Sequence, residues 1–109
     1  MDKELAIESF AAFAQDSRLA IFRLLVREEP NGLPVGEISR RLGILPSTLS
    51  GHLGVLKRAR LLKSTRHQRE IHYCANLEAM NDLIGFMLED CCNGQLENCS
   101  EMLSLLKSA

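Results

Sequence analysis

No apolar run in this chain exceeds a few residues; Phe10 to Ala14 and the pair Ile44-Leu45 are typical. A membrane-spanning helix needs about 20 apolar residues in sequence, so neither a span nor a secretion-signal core is expected. Internal repeats, low-complexity tracts and linker-like stretches are also missing. At 109 residues the chain holds one hydrophobic core and is too short for two ordinary domains. The expectation is a single domain over residues 1–109, cytoplasmic, with its thiols reduced. Around the clustered cysteines near the C-terminus there is no arginine, and Glu89, Asp90 and Glu97 are close by. A thiol enzyme needs its nucleophile in an anion-binding loop rich in Gly and Arg, so catalysis is not expected.

Charge is plentiful but segregated. Residues 34–74 carry eight basic and two acidic side chains, a local +6 between flanks of −2 (residues 1–33) and −5 (residues 75–109). Solvated helix faces mix signs, so this one-sided excess points to phosphate. The overall charge of −1 conceals it.

Apolar spacing predicts a first helix over about residues 3–14, from Ala6, Ile7, Phe10 and Phe13. A second helix, capped by Asp16 or Ser17, places Leu19, Phe22, Leu25 and Val26 on one stripe and ends at Pro30-Asn31-Gly32. A third, near 34–42, opens on Pro34, turns Val35, Ile38 and Leu42 inward and stops at Gly43. A fourth, near 46–59, follows a short link and carries Leu49, Leu53 and Leu56 at core spacing. Two helices so joined, over about 34–59, make a helix-turn-helix. Residues 61–65 and 70–74 read as strands joined by a cationic tip, Arg66-His67-Gln68-Arg69, which makes a wing over about 61–74. Asn76 caps a fifth helix over about 76–90, whose apolar face is wider than one small core needs. A last short helix is expected over about 100–107. The fold class is thus mainly α with a small β-hairpin, a winged helix-turn-helix.

At the start of the fourth helix, Leu49 and Leu53 are the anchors, which leaves Ser47, Thr48, Ser50, Gly51 and His52 for the outward face. Short polar side chains at a helix N-terminus approach phosphates and base edges closely, aided by free N–H groups and the positive dipole end. Taken alone, that heptapeptide is equally a plain polar helix start. Together with the wing and the +6 segment, it predicts double-stranded DNA as partner. The contacts expected are Ser47, Thr48, Ser50, Gly51, His52 and Lys57, with Arg66, His67 and Arg69 on the wing.

Three of the four cysteines, Cys91, Cys92 and Cys99, fall within nine residues, and Asn93-Gly94 offers a reversal between them. Thiolates so close together suit a thiophilic ion. Structural zinc wants four ligands, and no fourth is obvious nearby. Cys74 stands apart, and a half-buried strand thiol is its expected place.

The stretch Ala14-Gln15-Asp16-Ser17-Arg18-Leu19-Ala20-Ile21-Phe22-Arg23-Leu24-Leu25 resembles the second-helix signature of the ArsR/SmtB metalloregulators. So do Ser47 to Leu56, then Ala59-Arg60-Leu61-Leu62, and a wing ending in His72-Tyr73, in the correct order over about residues 5–90. The resemblance implies a homodimeric repressor, joined through its first and fifth helices, that binds an inverted-repeat operator and leaves it when an effector binds. The family's arsenic site in the third helix has no cysteine here, and its zinc site in the fifth helix has no histidine. What remains resembles the C-terminal triad of arsenic-responsive members. It implies arsenite or antimonite held by Cys91, Cys92 and Cys99 as effector, with no catalytic cofactor. A thiol-redox, cadmium, lead or zinc response on the same fold stays open. Two departures stand out: Gly51-His52 replaces the paired histidines common in the family, and Arg60 replaces its usual turn glycine.

Overall fold

The structure is a computed structural model, and it describes residues 1–89. The triad Cys91, Cys92 and Cys99 and the expected last helix lie outside the described residues.

Helix α1 (Lys3–Phe13) starts at Asp2, whose carboxylate accepts from the Leu5 N–H at 2.8 Å. It buries Ala6, Ser9 and Ala12, small residues that let neighbouring helices approach closely. The buried Ser9 hydroxyl is satisfied by donating to the Leu5 carbonyl at 2.9 Å. Phe13 packs edge-on against Phe22, with centroids 4.9 Å apart. Helix α2 (Asp16–Arg27) is capped by Gln15, not by Asp16 or Ser17; the Gln15 amide oxygen accepts from the Arg18 N–H at 2.9 Å. Its buried set is Ile21, Phe22, Leu24 and Leu25, while Leu19 and Val26 are 45% and 39% exposed. At about 100° per residue those two lie more than about 100° from the centre of the buried arc. The expected stripe was therefore partly out of phase.

A short strand unread in the sequence, β1 (Leu33–Pro34), follows the turn. Helix α3 therefore spans Val35–Leu42, starting one residue later than expected, with Pro34 extended at the N-cap and not within the first turn. Ile38 is fully buried, and Gly43 ends α3 in the left-handed region at φ 65°. Helix α4 (Pro46–Arg58) buries Leu49, Leu53 and Leu56 in the central core.

α4 ends in a Schellman motif: the Arg60 N–H bonds the Lys57 carbonyl at 2.9 Å and the Leu61 N–H bonds Leu56 at 3.0 Å. That motif puts Arg60 at φ 64°, where a side chain is strained and glycine is not. Arg60→Gly should therefore raise stability by about 0.5–1 kcal/mol, the αL penalty relieved less the entropy of a looser unfolded chain. A lowered urea midpoint would contradict this. Nothing in the motif needs the side chain, since the Asn76 amide meets the Arg60 carbonyl, at 2.8 Å.

Strands β2 (Leu62–His67) and β3 (Glu70–Ala75) pair antiparallel from Leu62↔Ala75 to His67↔Glu70. Arg66 and His67 thus belong to β2, and the tip shrinks to Gln68-Arg69, with Gln68 at φ 57°. β1 adds to the far side of β3 through Leu33↔Tyr73, giving the sheet order β1-β3-β2. Helix α5 (Leu77–Met87) begins under the Asn76 cap, whose side chain accepts from Ala79 N–H at 3.2 Å. Cys74 is more buried than expected, its thiol 3.8 Å from the Pro30 carbonyl. The core joins α2, α3 and α4 to the base of the hairpin. The result is a winged helix-turn-helix. Among the described residues no helix is long and apolar enough to cross a membrane.

Candidate nucleic-acid interface

The buried Leu49 and Leu53 fix the rotation of α4, and that rotation exposes Ser47, Thr48, Ser50 and Gly51. No side chain caps the helix; Leu45 holds the N-cap position and Pro46 the first turn. The Ser47 and Thr48 N–H groups lie before the first intrahelical bond, Leu49 N–H to the Leu45 carbonyl at 2.9 Å. They point out of the N-terminus at the positive end of the helix dipole, a ready anion site. Gly51 has open space around it, so backbone is accessible there.

His52 differs from the expectation of a free outward side chain. It is half-buried, and its Nδ1 lies 3.5 Å from the Arg18 guanidinium. Lys57 is exposed and its Nζ donates to Ser64 Oγ at 2.9 Å, tying the end of α4 to β2. On the wing, Arg66, His67 and Arg69 are all exposed. The Arg66 Nε donates to the Gln68 carbonyl at 3.1 Å, and the His67 ring stacks on His72 with centroids 4.2 Å apart. The wing cations and the α4 N-terminus are thus brought to one molecule's outer surface by two different elements.

Part of the central positive charge is spent internally. Arg40 and Arg41 both bond the Glu37 carboxylate, and Arg41 also reaches Glu28 at the C-cap of α2. Hydrogen bonds from Arg40 and then Arg41 pull the Glu37 carboxyl down to about 2. Arg60 lines a cavity with Met1 and Leu5 and with the acidic α5 residues Glu78 and Asp82. Among the described residues, the cations outside such pairs include Arg58, Lys63 and the wing arginines.

On α1 and α5, Phe10, Phe13, Met80, Leu83, Ile84, Met87 and Leu88 line a wholly apolar groove. Phe10 is 45% and Met87 58% exposed there. This is the surplus apolar face that the spacing of α5 announces. Among the described residues there is no group of three or more His, Cys, Asp or Glu placed to hold a metal. One contributor the sequence reading missed is Arg18, because nothing in its spacing shows that it reaches a helix 34 positions away.

Comparison with known proteins agrees with this geometry. The family described as helix-turn-helix domain matches residues 13–65. The nodulation protein NolR of Rhizobium meliloti is 32% identical over 84 residues, 77% of this chain and 66% of NolR, so the chain spans just under two thirds of that relative. The structure of HlyU from Vibrio cholerae superposes with a TM-score of 0.62 at 32% identity, covering 80% of this chain and 97% of that one. An ArsR-like transcriptional regulator from Rhodococcus shares the fold, with a TM-score of 0.71 at 22% identity over 96% of this chain and 92% of its own. With the second-helix signature, the recognition-helix sequence and the wing all in their places, the chain belongs to the ArsR family of winged helix-turn-helix transcription regulators.

Proposed function

We propose that this protein is a homodimeric transcriptional repressor that grips an inverted-repeat operator and releases it when trivalent arsenic or antimony binds. The observation that carries the DNA half is the uncapped α4 N-terminus. It exposes Ser47, Thr48, Ser50 and Gly51 beside a wing bearing Arg66, His67 and Arg69. In this reading α4 enters the major groove, and the α4 N–H groups, Lys57 and the wing meet phosphate. Two copies joined through the α1/α5 groove present two such helices. Half-sites one DNA turn apart, about 34 Å, then fix the spacing the dimer must keep.

The effector half rests on the donor set. Cys91, Cys92 and Cys99 supply three sulfurs within nine residues, which fits the three-coordinate pyramid of As(III) or Sb(III). Ligation draws the segment after α5 together and shifts that helix at the dimer seam, altering the separation of the two recognition helices. Couplings between sites in binding proteins run about 1–3 kcal/mol, so operator affinity should fall roughly 5- to 150-fold.

The test uses reduced full-length protein and a fluorescent duplex selected from a random pool, with binding followed by anisotropy. Arsenite or antimonite should release the duplex, and Cys91→Ser, Cys92→Ser and Cys99→Ser should each blunt that release. Release by peroxide, cadmium or zinc but not by arsenite would move the sensor to the thiol-redox or borderline-metal reading. Serine variants that respond like wild type would remove the triad from the mechanism.

A further inference from the structure

We propose that Arg18 is a positioning residue for DNA reading, a clamp that sets the recognition helix relative to α1 by gripping both. The inference rests on the reading of α4 as the DNA-contacting helix. Arg18 stands in the first turn of α2, its backbone pinned by the Gln15 side chain at 2.9 Å. From there its guanidinium spans three helices. The Nε donates to the Ala12 carbonyl at 2.7 Å, and one terminal nitrogen lies 3.5 Å from the Ala11 carbonyl. Those carbonyls belong to the last turn of α1, at the negative end of the dipole; that of Ala11 also accepts from the Ala14 cap N–H at 3.3 Å, and Arg18 supplies the Ala12 carbonyl with its donor. No basic residue of α1 itself occupies that turn, so the cation comes from α2. The other terminal nitrogen reaches His52 Nδ1 on α4 at 3.5 Å.

The chemistry of that last contact fixes the imidazole. A guanidinium has five donors and no acceptor, so His52 Nδ1 must offer its lone pair and the ring proton sits on Nε2. The ring is thereby held with Nε2–H as a donor on the edge away from Arg18, suited to a phosphate or a base acceptor. Lysine at position 18 keeps the charge but has no planar fork to serve two carbonyls and a ring together. Because α1 also carries Phe10 and Phe13 of the apolar groove, the clamp links that face to the reading head.

The experiment measures affinity for the selected duplex and for a random-sequence duplex at several salt concentrations, well below each variant's unfolding midpoint. Wild type, Arg18→Lys, His52→Ala and the double variant are compared. Residues in direct contact couple by up to a few kcal/mol, so Arg18→Lys should lose about tenfold on the selected duplex. It should keep its random-duplex affinity and salt slope, and the double variant should be no worse than His52→Ala. A purely structural Arg18 would lower the unfolding midpoint and leave the ratio of the two affinities unchanged. Multiplicative losses in the double variant, or a selected-duplex affinity within twofold of wild type, would overturn the clamp. Nitrogen NMR of the wild-type imidazole decides the same point without any variant: a proton found on His52 Nδ1 would equally refute it. If wild type does not distinguish the two duplexes at all, it is the DNA-reading function that fails, not the role of Arg18.

Discussion

Gly32→Ala should cost this protein about 3 kcal/mol or more, a large share of the 5–15 kcal/mol that holds an ordinary domain together. Gly32 sits at φ +68° in the turn before β1, a region that costs an alanine about 1–2 kcal/mol. A Cβ built there would also collide with the Tyr73 carbonyl and lie 2.5 Å from the Cys74 sulfur. Relief requires backbone movement in β3, and overpacking of that kind adds about 1–3 kcal/mol. Both penalties fall on the joint where β1 meets β3 through Leu33↔Tyr73. The expected result is a sharply lowered urea midpoint with an unchanged m-value. Adding Cys74→Ala should recover part of the loss by removing the sulfur, but not the strain or the carbonyl contact. A Gly32→Ala protein as stable as wild type would mean that the turn is built differently.

The parts of this fold that were legible in the sequence are those with a single periodic solution. Leu49, Leu53 and Leu56 admit one buried face, so the start, phase and exposed side of α4 followed, and Gly43 marked the end of α3. In α2 the apolar residues crowd, with Ile21-Phe22 and Leu24-Leu25-Val26 adjacent, and several stripes fit equally well. Phe22 and Leu25 are buried as expected, but only the packing of α2 in the folded chain chose Ile21 and Leu24 over Leu19 and Val26. β1 was invisible for a different reason. Two residues cannot show an alternation, and the partner Tyr73 lies forty positions away. The same distance in sequence hid Arg18, whose partners Ala11, Ala12 and His52 come together only in the folded chain. Charge was legible in sum but not in use, since Arg40 and Arg41 are engaged by Glu37 and Glu28. The odd residue in the turn before the wing, Arg60 in place of glycine, was readable as a departure. Its positive φ gives that departure an energetic meaning.

On the proposed reading of the α1/α5 groove as a dimer seam, Phe10→Glu combined with Met87→Glu should yield a folded monomer that has lost nearly all affinity for the proposed operator. Both side chains line the apolar groove of α1 and α5, and both are about half exposed in the single chain. Replacing them removes little of the buried core, so the monomer's unfolding midpoint should move modestly. Two carboxylates on each facing surface would have to be desolvated against apolar neighbours, which a dimer seam does not tolerate. Sedimentation would then report one chain where wild type reports two. Each half-site contact survives in the monomer, but the second no longer benefits from being tethered to the first. Tethering of this kind is worth about 10²–10⁴ in affinity, and that is the loss expected on an inverted repeat. Random-sequence DNA, bound through phosphate contacts, should lose much less, because the α4 N-terminus and wing are untouched. The pattern separates the seam from the reading head: a monomer that still binds the inverted repeat with wild-type affinity would show that pairing through α1 and α5 has no part in recognition.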